Sequence, residues 1–400
     1  MKDSRFAPLN DWLAPGAVLF LFVLLFSFTS CGTSGSEEAP ATAEESSTAD
    51  TVQVRSYGET PDGSATLFTL RNVNGMEVDV TNYGGIITAI RVPDNRGAMG
   101  DVVLGFADVK GYLGEHPYFG ALIGRYGNRI GGGVFTLDGT TYELDRNDGD
   151  NALHGGPKGF HRQLYEAKTI NPEAGVRGVS LRRVSPDGEE GYPGNLDHTV
   201  RYLLTDENEL RIEYEATTDA PTVVNLTNHA YFNLGNQPTI LEHELMIEAE
   251  RFTPVDEGLI PTGELKNVAG TPFDFREPHA IGARIGEENE QLELGLGYDH
   301  NFVLDRKTDY ALERVATLYA PSSGRFMEVL TTEPGLQFYS GNFLDGSLTG
   351  KDGKSYEKRS ALCLETQHWP DSPNQPDFPS TELRPGETYR STTVYRFSVR

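Results

Sequence analysis

Residues 225–234 read Asn-Leu-Thr-Asn-His-Ala-Tyr-Phe-Asn-Leu and alternate in the way that a half-buried β-strand does. One face is apolar except for Asn228. The other face carries hydrogen-bonding side chains at every second position, namely Asn225, Thr227, His229, Tyr231 and Asn233. This pattern predicts a rigid strand whose polar front has a titratable imidazole at its centre. Such a front suits a polyhydroxylated ligand.

The composition of the 400-residue chain favours β-structure and excludes several classes of partner. Gly (44) and Pro (23) are abundant, aromatic residues make up 10%, and 37% of the residues are apolar. The formal net charge is −25, and no basic stripe offsets it. Because such a chain repels phosphates, nucleic acid and acidic lipid headgroups are excluded as partners of the folded protein.

Residues 1–30 are predicted to be a lipoprotein-type signal peptide. Lys2 and Arg5 are followed by an apolar run at 17–28, which is shorter than the roughly 20 residues that span a bilayer. The run ends at Phe-Thr-Ser-Cys-Gly, which resembles a bacterial lipoprotein cleavage site with Cys31 as the lipidated residue. An ordinary signal peptide that contains a cysteine is the alternative. We expect export from a bacterial cell, as a periplasmic or membrane-anchored lipoprotein that contacts membrane only through this anchor.

The remaining chain is predicted to be a flexible tether and one large domain. Residues 31–50 contain almost no large apolar side chain, as is typical of a linker. Residues 51–400 alternate short apolar runs with Asp-Gly and Asn-Gly turns, which favours an all-β antiparallel sandwich. Because Cys363 is its one cysteine, the domain is predicted to have no internal disulfide. We also expect the protein to be a monomer. The predicted strands include 76–81, 199–204, 210–216, 245–249, 325–331 and 392–399, with brief helices near 109–113 and 279–285.

Four motifs carry polar side chains whose roles the local pattern leaves open. Arg129 with Asn128 could bind sugar hydroxyls or a carboxylate, or Arg129 could pair with one of many surface carboxylates. His154 precedes two glycines, where the backbone can approach a ligand, or it is a solvated turn residue. Gln337 is a ligand donor or a satisfied core amide. Asp299 and its neighbour His300 point to opposite faces, so one should face the site and the other should support it.

Glu365 is the anomalous residue of the C-terminal part. It follows an apolar run that is typical of a buried strand, where an unpaired carboxylate is costly. Burial raises the pKa of a carboxyl towards the range of a useful general base. The alternative is a buried glutamate held by an arginine.

The sequence contains no established metal-binding motif. Residues 145–150, Asp-Arg-Asn-Asp-Gly-Asp, resemble a calcium loop, but the glycine falls one position early. Cys-x-x-Cys and His-Glu-x-x-His are both absent. We therefore assign no metal ligand. Binding of a structural Ca²⁺ stays an open alternative, because the chain has many carboxylates.

Six short motifs, taken in their order along the chain, resemble those of the aldose 1-epimerase (galactose mutarotase) family. The likeness extends from about residue 57 to 399, and the tract 185–194 also looks like the family's. It implies a large antiparallel β-supersandwich with a sugar site in an open cleft. The motifs are Gly-Arg-Tyr-Gly-Asn-Arg-Ile (124–130), Leu-His-Gly-Gly (153–156), Asn-His-Ala-Tyr-Phe-Asn-Leu (228–234), Tyr-Asp-His-Asn-Phe (298–302), Gln-Phe-Tyr-Ser-Gly-Asn (337–342) and Leu-Glu-Thr-Gln (364–367).

This resemblance also implies roles for single residues. The family's catalytic base corresponds to Glu365 and its catalytic acid to His229. Its sugar-binding positions correspond to Asn128, Arg129, His154, Tyr231, Asp299 and Gln337.

The resemblance implies an enzyme that interconverts the α- and β-anomers of hexopyranoses such as glucose and galactose. Ring opening and closure need only paired proton transfer, so no cofactor is required. The motifs do not rank one aldose above another. Two alternatives stay open: a non-catalytic carbohydrate-binding module on the same fold, and a glycoside-cleaving enzyme. The latter needs two acidic residues, whereas the matched pair here is one Glu and one His.

Overall fold

The computed structural model describes residues 52–400. The predicted signal peptide (1–30), the tether (31–50) and Cys31 therefore lie outside the described residues. Within the described part, no helix has both the length and the apolar character needed to cross a membrane.

The described residues form many short strands and two brief helices, α1 (Val109–Leu113) and α2 (Glu290–Leu294). In chain order the strands are β1 (Gln53–Thr60), β2 (Gly63–Arg71), β3 (Glu77–Thr81), β4 (Ile87–Pro93), β5 (Met99–Asp101), β6 (Leu122–Ile123), β7 (Arg129–Ile130), β8 (Val134–Leu137), β9 (Thr140–Glu143), β10 (Ala152–Leu153), β11 (Glu166–Ile170), β12 (Val176–Ser185), β13 (Leu196–Thr205), β14 (Glu209–Thr218), β15 (Thr222–Val223), β16 (Thr227–Asn228), β17 (Tyr231–Phe232), β18 (Glu244–Ile247), β19 (Arg251–Phe252), β20 (Lys266–Asn267), β21 (His279–Ala280), β22 (Asp299–Val303), β23 (Glu313–Ala320), β24 (Arg325–Thr331), β25 (Gly335–Tyr339), β26 (Leu362–Gln367), β27 (Glu382–Leu383) and β28 (Tyr389–Val399).

Three antiparallel sheets make up most of the fold. The largest has nine strands in the order β11-β12-β13-β14-β28-β24-β23-β18-β21. A six-stranded sheet has the order β17-β26-β25-β22-β19-β20. The strands β1 to β5 form a third sheet in chain order. This architecture confirms the prediction of an all-β antiparallel sandwich.

The nine- and six-stranded sheets share one hydrophobic core. Leu362 and Leu364 of β26 belong to the same buried cluster as Tyr395 of β28, and the Tyr395 hydroxyl donates to the Leu364 carbonyl at 3.1 Å. Because side chains alternate along a strand, Cys363 and Glu365 point to the opposite face of the six-stranded sheet. The candidate site lies on that outer face.

Cross-strand pairing assembles the outer face from distant parts of the chain. Glu365 is paired with Gln337, and Cys363 with both Tyr339 and Tyr231. Tyr339 is paired in turn with Asp299. Paired residues in an antiparallel sheet share a face. Side chains from β17, β26, β25 and β22 therefore lie side by side.

Most of the predicted elements are confirmed, with shifted ends. The prediction at 325–331 matches β24, and the other five predicted strands overlap β3, β13, β14, β18 and β28. Helix α1 matches its prediction. The predicted helix at 279–285 is wrong, because a two-residue strand there is followed by the 3₁₀ turn Ile281–Ala283. Helix α2 was not predicted.

The prediction of one continuous strand over 225–234 is wrong in detail. The segment forms two short strands in different sheets: β16 pairs with β6, and β17 pairs with β26. Asn225 binds backbone carbonyls at Gly127 and His368, both at 3.2 Å. Both faces of the segment are largely buried, so the alternating pattern reflects burial on two sides and not one solvated front.

Arg125, the other arginine of the 124–130 motif, has a structural role. Its guanidinium is fully buried and donates to the Ser185 hydroxyl at 2.6 Å and to the carbonyls of Pro193 and Gly194 at 2.7 and 2.9 Å. The 185–194 tract therefore folds around this arginine.

Replacing Arg125 with methionine is expected to lower the free energy of unfolding by about 3 kcal/mol or more, because the buried carbonyls of Ser185, Pro193 and Gly194 lose their donor. Arg182→Met is the matched control. Arg182 pairs with Asp197 at the surface, where a change of about 1 kcal/mol or less is expected. Chemical denaturation of both variants measures the difference, and equal losses would contradict the role of Arg125.

Candidate active site

A narrow cavity of about 100 Å³ lies against the outer face of the six-stranded sheet. It opens towards a larger depression of about 660 Å³, with which it shares Arg129, Leu153 and Phe343. Seven of the eight predicted site residues line the narrow cavity: Glu365, His229, Asn128, Arg129, His154, Tyr231 and Asp299. The fold thus brings together residues that the sequence separates by more than 200 positions.

Glu365 is a buried carboxyl with an uncommitted oxygen. It is 2% exposed, and its Oε1 lies 3.6 Å from His229 Nε2. Its Oε2 makes no hydrogen bond to the described residues. Burial, followed by repulsion from Asp299, raises the pKa of Glu365 well above its usual value, and Arg129 only partly opposes this. The carboxyl is therefore suited to exchange a proton with a ligand.

His229 is held in a dry position between a thiol and the carboxyl. Its Nδ1 lies 3.4 Å from the Cys363 sulfur, and its ring stacks on Tyr231 with centroids 5.1 Å apart. Burial lowers the pKa of His229 to about 3, so the imidazole is neutral near pH 7. The Nε2 atom is left to face Glu365 and the cavity.

His154 and Asn128 are placed by an unusual backbone. Both residues have positive φ angles, 52° and 64°. The backbone N–H of Asn128 donates to His154 Nδ1 at 3.2 Å, and the His154 ring meets His229 edge-on with ring centroids 5.0 Å apart. The glycines after His154 were expected to let the backbone approach a ligand, and for Gly155 this expectation was wrong. A Cβ at Gly155 would come within 1.9 Å of the Gly124 carbonyl, so its close approach is to the chain itself and not to a ligand.

Arg129 combines the two roles that the sequence left open. Its Nε donates to Asp148 Oδ2 at 2.7 Å, while its Nη atoms make no hydrogen bond to the described residues. The guanidinium lines the cavity and is 7% exposed. The loop at 145–150, which resembled a calcium site, thus orients an arginine through Asp148.

Asp299 and His300 point to opposite faces of their strand, as expected, with Asp299 at the site and His300 in the core. Asp299 lines the cavity and accepts from Gln337 Nε2 at 2.8 Å, while burial raises the pKa of its carboxyl. His300 packs on Phe273 in the core, with ring centroids 4.7 Å apart. Gln337 does not line the cavity. It lies behind Asp299, and its Oε1 has no hydrogen-bond partner among the described residues.

The sequence reasoning missed several cavity residues, most of them aromatic. Tyr118 packs against His154 and His161, with ring centroids 4.7 and 4.8 Å apart, and no sequence pattern indicated it. Tyr339 shares a strand face with Gln337, so alternation could have identified it. Phe343 lies at the mouth and is 51% exposed.

One cluster of ligand-type side chains occurs among residues 52–400. The ligand atoms of His154, His229 and Glu365 all lie within 4.8 Å of one another, so these side chains could hold a metal ion. Sequence spacing did not indicate this set, because its members come from three separate segments. The same atoms are those best placed for proton transfer.

Comparison with known proteins decides the family. The sequence profile described as aldose 1-epimerase matches residues 66–396. The chain belongs to the aldose 1-epimerase family. A galactose mutarotase from Homo sapiens is 49% identical over 347 residues, which cover 86% of this chain and 97% of that protein. An aldose 1-epimerase from Escherichia coli (strain K12) is 42% identical over 341 residues, covering 84% and 96%. Family relatives therefore occur in both mammals and bacteria.

A solved structure within the family supports the same assignment. The galactose 1-epimerase from Lactobacillus acidophilus superposes with a TM-score of 0.77 at 29% identity, covering 87% of this chain and 99% of that one. The predicted galactose mutarotase-like fold is therefore confirmed.

Proposed function

We propose that this enzyme interconverts the α- and β-anomers of aldohexoses, with Glu365 as the base and His229 as the acid. The observation that carries the proposal is the 3.6 Å approach of Glu365 Oε1 to His229 Nε2 in a buried cavity. O1 and O5 of a pyranose are both bonded to C1, so an acid and a base whose reacting atoms lie a few ångströms apart can reach both oxygens.

The reaction balances with a single proton shared by the pair. In ring opening, the Glu365 carboxylate takes the O1 proton, the C1–O5 bond breaks as the C1 carbonyl forms, and protonated His229 gives its Nε2 proton to O5. Rotation about C1–C2 exposes the other carbonyl face. The two residues then reverse roles, and the ring closes to the other anomer.

The electrostatics of the site favour the protonation state of the ring-opened stage of this cycle. Burial raises the pKa of Glu365 and lowers that of His229, so the shared proton resides on Glu365. That is the protonation state that follows ring opening. We infer that sugar hydroxyls bound to Glu365 stabilise the opposite arrangement, in which the carboxylate is charged.

The other cavity residues supply binding and orientation in this proposal. The free Nη donors of Arg129 and the Asp299 carboxyl are placed for hydroxyl groups. Asn128, His154 and Tyr231 complete the polar lining. Gln337 contributes by holding Asp299 at 2.8 Å. Anchoring the hydroxyls keeps the ring-opened sugar in place for closure.

Polarimetry of freshly dissolved α-D-galactose and α-D-glucose tests the proposal. We expect the protein to accelerate the change in optical rotation and to release no new reducing ends from an oligosaccharide. Sugar binding without acceleration would favour the carbohydrate-binding module. New reducing ends would favour a glycoside-cleaving enzyme.

We propose that the reaction needs no cofactor, since it moves only protons within one substrate. Dialysis against a chelator is expected to leave the polarimetric rate unchanged. A structural Ca²⁺ would instead appear as a chelator-dependent fall in melting temperature.

Cys363 is proposed to orient His229 through its contact with Nδ1. We expect Cys363→Ala to lower kcat about tenfold with little change in KM, because a misplaced ring transfers its proton poorly. Cys363→Ser, which restores a small hydrogen-bonding group, should recover most of kcat. Steady-state polarimetry measures both variants. Equal rates for wild type and Cys363→Ala would contradict the orienting role.

We propose that the protein is exported and lipidated at Cys31, on the basis of the apolar run at 17–28 and the small residues before the cysteine. Expressed in a Gram-negative host with radiolabelled palmitate, the wild type should incorporate label and Cys31→Ala should not. Cleaved but unlabelled wild type would indicate an ordinary signal peptide.

We also propose that the catalytic domain acts as a monomer, because residues of a single chain line the cavity. Light scattering of the chain without residues 1–30 should give a mass slightly below the 44.0 kDa of the full chain.

A further inference from the structure

A second cavity, of about 490 Å³, lies between the turn after β24, the end of β26 and the first half of β28. It shares no lining residue with the candidate active site. Its floor contains Glu333 (2% exposed), His368 (9%), Thr381 (6%) and Ser391 (4%). Charged side chains this buried are unusual in the floor of an open cavity.

Glu333 and His368 form a compact ion pair with one free donor. His368 Nδ1 lies 2.6 Å from Glu333 Oε2, and the Tyr389 hydroxyl donates to Glu333 Oε1 at 3.3 Å. Glu333 raises the pKa of His368 against the effect of burial, and His368 lowers the pKa of Glu333, so the pair favours the charged form of both groups. His368 Nε2 makes no hydrogen bond to any described residue. The protonated imidazole therefore has an Nε2–H available to a ligand.

The walls of the cavity are rich in hydroxyl groups, and its rim carries an exposed aromatic ring. Tyr310 lines the rim and is 75% exposed. Aromatic faces beside convergent donors and acceptors are suited to the mixed apolar and polar surface of a sugar ring. The hydroxyl groups belong to Thr332, Ser380, Thr381, Thr388, Ser391 and Thr392.

The charges around the cavity are compensated within the protein. Glu382 pairs with Arg384, and Arg390 donates to Glu215 at 3.4 Å. The remaining rim carboxylate, Glu387, accepts from a backbone amide at 2.9 Å. An anionic ligand would meet Glu387 and Glu382 at the rim, while a cation would meet no unpaired carboxylate on the floor, where Glu333 is paired with His368. The lining therefore favours a neutral ligand with many hydroxyl groups.

We propose that this cavity is a second saccharide site, separate from the catalytic one, in which His368 Nε2 donates to a sugar oxygen beside Tyr389. The proposal does not depend on the catalytic roles of Glu365 and His229. A purely structural ion pair, which only ties the end of β26 to the turn at 332–333, would bind no sugar.

Calorimetric titration of the full domain with maltotriose tests this site. Two classes of binding are expected in the wild type. Thr388→Trp, which fills the cavity from an exposed rim position, should weaken one class at least tenfold and leave the polarimetric rate unchanged. Arg129→Ala should weaken the other class. Thr141→Trp, an exposed threonine on β9, is the matched control and should affect neither.

The outcomes are distinct from those that test the catalytic proposal. Two classes that both survive Thr388→Trp, or a single class that survives Thr388→Trp and is lost in Arg129→Ala, would overturn the second site while leaving mutarotation intact. His368→Gln should reproduce the loss seen in Thr388→Trp. Inorganic phosphate that binds the wild type and displaces maltotriose would overturn the saccharide assignment in favour of an anion site.

Discussion

Glu365→Gln is expected to lower kcat/KM for mutarotation by about 10²–10⁴-fold, the range typical of a lost general acid–base group. The amide keeps the shape of the side chain and a hydrogen-bonding oxygen, but it accepts no proton from O1. His229, the other member of the pair, is too weak a base to replace the carboxylate, because burial lowers its pKa to about 3. We expect kcat to fall far more than KM changes, as measured by polarimetry.

Glu328→Gln is the matched control for this variant. Glu328 lies on β24 in the nine-stranded sheet and pairs with Arg314 and Arg396 at 3.6 and 3.5 Å, away from the cavity. Its loss should leave the rate within about twofold of wild type, since surface ion pairs contribute little. A near-normal rate in Glu365→Gln would contradict the role of the carboxyl and would require a different base in the cavity.

The second large effect is a steep loss of stability on acidification between pH 7.5 and 5.5. Burial lowers the pKa of His161, His198, His229 and His300 to about 3 in the folded protein, against about 6.5 in the unfolded chain. The unfolded chain therefore binds protons first as the pH falls. The stability from these neutral imidazoles is present above pH 6.5 and is lost as the pH falls below it.

The size of the effect follows from the number of histidines. At pH 5.5, each of these imidazoles lowers the free energy of unfolding by about 1.4 kcal/mol, and these four together lower it by about 6 kcal/mol. His116, His154 and His243, whose pKa values are also lowered by burial, add to this loss. Domains are typically stable by about 5–15 kcal/mol. Part of this loss is offset by three groups whose pKa values are raised in the folded protein, because their contribution to the free energy of unfolding increases as the pH falls. These groups are Glu365, Asp299 and His368. We expect the melting temperature to fall by about 10 °C over this range.

The slope of stability against pH gives a control that does not depend on absolute stability. His198 is buried in the core, stacked on Phe160 with centroids 4.2 Å apart, and lies outside the catalytic cavity. His198→Gln removes one titrating group, so denaturation curves between pH 6 and 5 should show a slope lower by about 1.4 kcal/mol per pH unit. A slope equal to that of wild type would show that His198 does not titrate on unfolding.

Local sequence patterns predicted which residues form the site better than they predicted how those residues are arranged. The motifs around Arg129, His154, His229, Asp299 and Glu365 converge on one cavity, as expected. The pattern at 225–234 was interpreted as one strand, because alternation does not show which sheet each half joins. Periodicity also gave no sign of Tyr118, whose position depends on a loop held by Asn228 through the carbonyls at 120 and 121.

The amino-acid sequence alone determined the fold class, the order of the family's motifs and which residues share a strand face, because side-chain alternation is a local property of the backbone. Tertiary structure decided which strands are neighbours, and so it placed Glu365 within 3.6 Å of His229, 136 residues away. It also decided the pKa values of that pair, since these depend on burial and on charges from distant segments. The same three-dimensional context decides that Asp299 lines the cavity while Gln337 supports it from behind.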